Sequence, residues 1–217
     1  MDSHENKYHR GHLYLDIDAR EVPSLQSSVF EDLVKKHNMP LQAMVRSDDA
    51  RLIGLLERSG FVLKRKCYEM DVSAADLTVP LPTGLPEVSE ARKGTPEYAE
   101  CAQMMYVCYR QSHAAVNPLT ASTADFIDAL PETVLYSADN GRIDAGAFIE
   151  GSEIAYLFSS GEPGFLRFAG SLLTYMFGKY DRIEFEADDT DRAATRLREM
   201  FSVVPGSSCD TYVKTPQ

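Results

Sequence analysis

The sequence has no tryptophan, only four cysteines in 217 residues, and no long apolar run. No stretch approaches the roughly 18 consecutive apolar residues that a membrane helix needs, and the polar start over residues 1–7 lacks the apolar region of a secretory signal. We therefore expect a cytoplasmic protein with no membrane partner. The cysteines form no Cys-x-x-Cys pair and no cluster with histidine at zinc spacing, so we expect no metal site and no disulfide framework.

Basic residues are also scarce relative to acidic ones. The chain has 22 Lys and Arg against 33 Asp and Glu, a net charge of −11, which disfavours nucleic acid and anionic membranes as partners. Three catalytic motifs are absent: the phosphate-binding Gly-x-x-x-x-Gly-Lys-Ser/Thr loop, the Gly-x-Ser-x-Gly elbow and His-Glu-x-x-His. His4, His9 and His12 are expected to be solvated near a mobile start rather than to bind metal.

The chain length fits one large domain or two small ones. Residues 78–86 contain three prolines and a glycine, so consecutive backbone donors are missing and neither helix nor central strand is tolerated. We therefore predict domains over 1–77 and 87–217 with a linker over 78–86. Apolar periodicity predicts strands over 13–17, 40–45, 61–72, 134–137, 145–150, 153–159, 182–187 and 210–214, and helices over 23–37, 50–59, 96–113, 123–130, 165–180 and 191–201.

Two parts of the chain show the same element order, which suggests an internal repeat. Leu33, Asp48 and Asp49 recur as Leu173, Asp188 and Asp189, and each part reads strand, helix, strand, Asp-Asp cap, helix. Identity is low, so a chance similarity of two such units is the alternative. Strand–helix–strand order implies parallel pairing, whereas Asn140-Gly141 between apolar runs predicts an antiparallel hairpin. The expected fold class is α/β, with a mixed sheet flanked by helices.

Residues 87–214 resemble the GCN5-related N-acetyltransferase (GNAT) family in the order of their elements: strand, two helices, antiparallel hairpin, then strand–helix–strand–helix–strand. Residues 12–72 resemble the back half of a second such domain. The best local match is a capped helix from Asp49, the turn Ser59-Gly60-Phe61 and a strand through Tyr68-Glu69-Met70. The resemblance implies a GNAT-like acyl-CoA N-acyltransferase fold, with a complete C-terminal domain and a partial N-terminal one.

The family binds acetyl-CoA as co-substrate through a loop written Gln/Arg-x-x-Gly-x-Gly/Ala, whose backbone N–H groups meet the pyrophosphate at a helix N-terminus. The equivalent segment here is 161–171, where the motif fits in two registers, 167–172 or 164–169. Helix packing favours the second, and both depart from the motif. The resemblance implies coenzyme contacts from Leu157, Phe158, Ser159, Gly164, Phe165, Arg167, Ala169 and Gly170. The first copy has no glycine between Asp16 and Gly54 and an acidic loop, so we expect it to be structural.

Transfer in this family needs a base for the ammonium acceptor and an acid for the leaving thiolate. Glu153 resembles the family's glutamate base, and Glu150 is an equal rival. In the family, a tyrosine often acts as the general acid. The matching positions here are Leu56 and Arg198, and neither can donate a proton.

The acid must therefore be another phenol or a water, and Tyr156 and Tyr175 are the phenols considered. Tyr109, His113 and Asn117, between the first two helices of the C-terminal segment, are the expected acceptor-binding residues.

The predicted function is direct, acetyl-CoA-dependent transfer of an acetyl group to an amine of a small molecule or protein. The alternative is a non-catalytic GNAT-like binding or assembly module, suggested by the degenerate loop, the missing tyrosine and the half-copy. A third possibility is a homodimer, in which the half-copy completes its sheet with a neighbouring chain.

Overall fold

The computed structural model describes residues 1–216, with the backbone alone described at positions 162 and 163. The first part of the chain forms β1 (Asp2–Glu5), β2 (Leu13–Asp16), α1 (Ser27–His37), β3 (Leu41–Arg46), α2 (Ala50–Arg58) and β4 (Val62–Ser73), followed by a 3-10 turn over Ala74–Asp76. The second part forms β5 (Ser89–Arg92), α3 (Pro96–His113), α4 (Thr123–Asp128), β6 (Thr133–Asp139), β7 (Arg142–Glu150), β8 (Glu153–Ser159), α5 (Glu162–Phe177), β9 (Arg182–Asp188), α6 (Arg192–Arg198) and β10 (Cys209–Lys214).

The mixed α/β architecture is confirmed, but three local predictions need correction. Helix α1 begins at Ser27 and not at Pro23, because the preceding residues form turns in which the Ser24 side chain donates to the Glu21 carbonyl. Helix α5 begins at Glu162 and not at Phe165. The start of the chain is a strand, β1, which pairs antiparallel with β2.

The chain packs as two compact units. The first unit contains residues 1–68, 113–122 and 206–216, and the second contains residues 69–112 and 123–205. Strand β4 therefore contributes its first part to the first unit and its last part, from Glu69, to the second.

The sheet of the first unit has the strand order β1-β2-β3-β10-β4. Strands β2 and β3 are parallel, and β10 lies antiparallel between β3 and β4. The core of this unit joins the two helices to the sheet, with fully buried Phe30 of α1 meeting Phe61 edge to face at 5.2 Å. Buried Tyr212 of β10 belongs to the same core, so the last strand of the chain helps to hold the first unit together.

The sheet of the second unit has the strand order β4-β9-β8-β7-β6-β5. Strands β5 to β8 are antiparallel neighbours, and β8 and β9 are parallel. Helix α5 packs its buried residues Leu172, Leu173 and Met176 toward the sheet. A right-handed crossover is the usual way to connect parallel neighbours such as β8 and β9.

The position of β10 corrects the sequence reading, which counted this strand with the C-terminal segment. Its register runs Val213↔Gln42 on one side and Val213↔Val62 on the other. Strand β10 thus lies inside the sheet of the first unit, between β3 and β4. A homodimer stays a prediction, as do the domain limits 1–77, 78–86 and 87–217.

The two segments of similar element order also share a parallel strand pair, and their common origin stays a prediction. In each, a parallel pair of strands is joined by a helix: α1 between β2 and β3, and α5 between β8 and β9. The next helix is capped by an aspartate in both, since Asp49 accepts from the Leu52 N–H at 3.0 Å and Asp191 accepts from the Ala193 N–H at 2.8 Å. The caps fix where α2 and α6 begin, because a side-chain oxygen satisfies an N–H group that the helix leaves unpaired.

We expect Asp49→Ala to lower the free energy of unfolding by about 1 kcal/mol, because it removes the cap of α2. Asp48→Ala is the matched control: the neighbouring carboxylate is exposed, lies 3.5 Å from Arg46 across a surface ion pair, and should change stability by less than about 0.5 kcal/mol. Urea unfolding of both variants measures the difference. Equal losses would show that the cap does not stabilise the helix.

Candidate functional site

Strands β8 and β9 separate shortly after they begin. Among the described residues they pair at two registers, Glu153↔Glu184 and Ile154↔Phe185, although each strand is seven residues long. The stretch of β8 from Leu157 to Ser159 therefore has no β9 partner in this register. Parallel strands that part in this way leave backbone N–H and C=O groups available to an extended ligand.

A β-bulge lies at the point of separation. Across the antiparallel pair of β7 and β8, Ile149 faces Ile154 while Phe148 faces Tyr156, so Ala155 is an extra residue. In a regular strand, residues three positions apart point to opposite faces. The bulge changes this, and Glu153 and Tyr156 lie on the same face, opposite Glu150 and Phe148 respectively. The two side chains predicted to act as base and acid therefore lie on one side of the sheet.

Aromatic rings cover the face on which Tyr156 lies. The ring of Tyr156 packs edge to face against Tyr109 of α3 and Phe126 of α4, with centroids 6.2 and 6.0 Å away. Tyr109 and Phe126 are themselves 4.9 Å apart. The structure therefore brings together the predicted acid, Tyr156, and one predicted acceptor-binding residue, Tyr109.

Glu153 lies in an acidic group at the paired ends of β8 and β9. Its direct cross-strand neighbours are Glu150 and Glu184. Partial burial raises the pKa of Glu153 above its ordinary value, and the like charges of Glu150, Glu186 and Glu184 raise it further. A raised pKa suits a group that must accept a proton near neutral pH.

A cleft of ≈ 160 Å³ opens where β8 ends. It is bounded by the end of β8, the start of α5 and the exposed side of α6. Its lining residues are Ser159, Ser160, Gly161, Phe165, Arg192, Ala193 and Arg196. Three of the predicted coenzyme-binding residues lie at or near this cleft. Ser159 and Phe165 line it, and Gly164, next to Phe165, lies in the first turn of α5.

Two ionisable side chains support the wall of this cleft. The backbone of Ser159 hydrogen-bonds the Cys108 thiol of α3, whose pKa is raised mainly by burial. The carboxylate of Asp191 caps α6, and its burial raises its pKa above the usual aspartate range. Neither residue stood out in the sequence as part of the site, because a half-buried cysteine and a helix cap carry no motif.

The other predicted coenzyme residues have different surroundings. Ala169 and Gly170 are buried within α5, and Arg167 is exposed on the same helix, all beyond its first turn. Both registers considered for the motif therefore fall in a helix rather than in a loop. The side chains of Leu157 and Phe158 are buried, so only their backbone groups are available to a ligand. Coenzyme contacts from all five residues stay a prediction.

An acidic side chain crowds the first turn of α5. A Cβ atom at Gly164 would lie 2.6 Å from Oδ2 of Asp144. The carboxylate is held there, since its Oδ1 accepts from the Ser137 hydroxyl at 2.6 Å, and the Asp144 carbonyl accepts from the Ser160 N–H at 2.7 Å. Gly164 therefore allows a carboxylate to lie close to the first turn of α5, in the place where the sequence predicted the approach of a phosphate.

His113 and Asn117 lie in the first unit, where both are buried in a polar cluster. Arg65 donates to Nε2 of His113 at 2.8 Å, and the His113 ring stacks on His9 at 5.3 Å. Asn117 donates to the Tyr14 hydroxyl at 3.1 Å. The acceptor-binding role of His113 and Asn117 stays a prediction.

The histidines at the start of the chain correct a further expectation. His9 and His12 are buried, not solvated, and burial lowers the pKa of each. His12 bonds Gln42 of β3 at 3.0 Å. The surrounding turn is held by the Tyr8 carbonyl, which accepts from the N–H of Thr120. No group of His, Cys, Asp and Glu that could hold a metal ion is found among the described residues.

Comparisons with solved structures identify the fold. The chain matches a GCN5-related N-acetyltransferase from Sphaerobacter thermophilus at TM-score 0.60 and 13% identity, over 98% of this chain and 75% of that one. A GCN5-related N-acetyltransferase from Kribbella flavida matches at TM-score 0.53 and 16% identity, over 99% and 85%. A conserved protein of unknown function from Staphylococcus epidermidis matches at TM-score 0.56 and 11% identity, over 95% and 84%.

The GNAT-like fold predicted from the sequence is thus confirmed over nearly the whole chain. No protein-family model and no curated protein sequence matches the chain. Within the described residues, no helix is both long and apolar enough to cross a membrane.

We expect Gly164→Ala to displace the Asp144 carboxylate, because the new methyl group would lie 2.6 Å from its Oδ2. Loss of the hydrogen bond from Ser137 should lower the free energy of unfolding by about 1 kcal/mol. Gly206→Ala is the control, since a Cβ there meets nothing within 4 Å. Combining Gly164→Ala with Asp144→Ala should cost less than the sum of the two single changes, measured by urea unfolding. Additive losses would mean that Gly164 and Asp144 do not interact.

Proposed function

We propose that the protein is an acetyl-CoA-dependent N-acetyltransferase that transfers the acetyl group directly to an amine. The observation that supports this most is the early separation of β8 from β9, which leads into the cleft at Ser159. A long thioester can lie along the unpaired edge of β8, with its acyl end near the bulge at Ala155 and its phosphorylated end at the cleft. The fold shared with GCN5-related N-acetyltransferases is consistent with this placement.

The residues at the bulge fit the two proton transfers that the reaction needs. The amine nitrogen forms a bond to the thioester carbonyl carbon, the carbon–sulfur bond breaks, and the amine loses a proton. Glu153 takes that proton, directly or through water, and Tyr156 returns one to the leaving thiolate. Both residues lie on the same face of β8, so acid and base can act on one substrate without a covalent enzyme intermediate.

Two rivals from the sequence have different surroundings. Tyr175 lies near the end of α5, where its hydroxyl donates to Glu90 at 3.2 Å and binds Lys179. These contacts tie it to β5 rather than to the separated strands. Glu150 is directly opposite Glu153 across the hairpin, and its charge raises the pKa of Glu153. In this proposal Glu153 is the base, because its raised pKa suits a proton acceptor, and Glu150 contributes to that rise.

One observation favours the alternative, a binding or assembly module without activity. The Asp144 carboxylate lies against the first turn of α5, where a negative charge already complements the positive end of the helix. A pyrophosphate approaching the same N–H groups would be repelled. Such a module would have the fold and the cleft but would neither bind acetyl-CoA nor acetylate an amine.

Acetyl-CoA should raise the melting temperature of the protein, because a ligand that binds only the native state stabilises it. Thermal-shift titration and calorimetry to millimolar coenzyme measure this, with free adenosine as the control for non-specific binding. Acetyl transfer to a panel of amines is followed by the release of free thiol. Absence of both a shift and calorimetric heat would leave only the binding module.

Glu153→Gln should lower the transfer rate by about 10²–10⁴-fold, because the base is lost. The wild-type rate should rise with pH through the raised pKa of Glu153, since only the ionised carboxylate accepts a proton. Glu150→Gln should move this rise to lower pH, because a like charge that raises the pKa is removed. If Glu150→Gln instead abolishes transfer while Glu153→Gln retains it, the base is Glu150.

A further inference from the structure

A second cleft continues from the one at the end of β8. It has a volume of ≈ 490 Å³ and runs between α5 and α6 toward the segment after β4. Its lining residues are Thr78, Val79, Phe165, Leu166, Arg196, Glu199 and Met200. Phe165 and Arg196 line both clefts, so Arg196 stands where the narrow part widens into the broad one.

Two arginines of α6 face the narrow part. Arg192 and Arg196 are four residues apart, which places them on one side of a helix, one turn from each other. Both line the cleft together with Ser159 and Gly161. Arginine is the side chain best suited to phosphate, since its planar guanidinium donates two parallel hydrogen bonds to the oxygens.

The start of α5 offers little to a phosphate. The Asp144 carboxylate is held against Gly164, position 163 is a proline without an N–H group, and the Gly161 N–H already donates to the Ser159 hydroxyl at 3.1 Å. Two positions of the main-chain cradle expected from the sequence, 161 and 163, therefore offer no free N–H group to a phosphate. The positive charges nearest to the end of β8 within the clefts are those of α6.

We propose that Arg192 and Arg196 bind the phosphate groups of the coenzyme and replace the glycine-rich loop in this role. The proposal rests on the function proposed above. The pantetheine arm follows the edge of β8, the pyrophosphate meets the two guanidinium groups, and the adenosine occupies the broad cleft. The site recognises a nucleotide-bearing acyl carrier by side-chain charge rather than by backbone amides.

The broad cleft has the surface that an adenine ring needs. Val79 and Leu166 are large apolar side chains that are 64% and 59% exposed, and Met200 lies with them in the lining. An aromatic base placed there would remove this apolar surface from water. Thr78 is fixed at one edge, since its N–H donates to the Met200 carbonyl at 2.8 Å.

The carboxylate of Glu199 should weaken phosphate binding at Arg196. Its carboxylate accepts from Nη1 of Arg196 at 2.7 Å, and both side chains are about half exposed. A phosphate at Arg196 must share the guanidinium with this carboxylate and is repelled by it. Removing the charge of Glu199 should therefore strengthen phosphate binding, while removing Arg196 weakens it.

Calorimetry with three probes tests the proposal on the full chain: coenzyme A, adenosine 3′,5′-bisphosphate and pantetheine, which has no phosphate. Arg192→Ala and Arg196→Ala should each weaken coenzyme A and the bisphosphate about tenfold or more, with pantetheine unchanged. Glu199→Gln should strengthen both phosphorylated probes. Arg51→Ala, at an exposed position of α2, changes the net charge equally and should alter none of the three.

The outcomes separate this proposal from the proposed function. If wild-type protein binds coenzyme A and the two arginine variants bind it equally well, the arginine site is wrong and the transferase proposal stands. If the wild type binds pantetheine as tightly as coenzyme A, no phosphate site exists. If it binds none of the probes, both proposals fail. Unfolding of each variant is checked by circular dichroism before titration.

Discussion

The separation of β8 from β9 determines the geometry of the candidate site. Peptide groups buried in a sheet must find partners, so β8 and β9 can separate only where something else can take the place of the missing ladder. In this chain the separation coincides with the bulge at Ala155. The bulge re-aims Tyr156 toward the aromatic rings of α3 and α4, and the freed edge of β8 leads to the opening at Ser159.

The sequence was informative where local chemistry repeats. The Asp-Asp pairs before α2 and α6 suggested an internal repeat, and both parallel pairs are present. An aspartate caps each helix, but in α6 it is Asp191 rather than the predicted Asp188-Asp189 pair. The sequence could not reveal the bulge, since Ala155 carries no glycine or proline signal. The start of α5 was placed too late because glycine and proline near 161–164 read as a loop. The burial of His113 and Asn117 depends on contacts with residues about a hundred positions away, such as Asn117 with Tyr14, which no local pattern encodes.

The loops that follow β2 and β8, the first strands of the two parallel pairs, have different surroundings. In the second copy, the residues after the parallel strand line an opening with arginines opposite. In the first unit, the corresponding loop contains its own ion pair: Asp18 accepts from the backbone and guanidinium of Arg20, which lowers the pKa of Asp18. A cavity of ≈ 870 Å³ beside it is lined by several carboxylates, including Asp16 and Glu21, and is poorly suited to an anionic coenzyme. The structural role expected for the first copy stays a prediction, as does the chemistry proposed for the second.

Strand β10 pairs with β3 and β4, although it lies far from both along the sequence. Tyr212 pairs with Ala43 and belongs to the core around Phe30, yet it is synthesised long after both. Until β10 is in place, β3 and β4 each have an edge without a partner strand, and such edges favour pairing with other chains. Such distant closure also slows folding, because the entropy of a long loop must be lost before the contact forms. A chain without β10 would therefore expose one edge each of β3 and β4, and exposed strand edges favour aggregation.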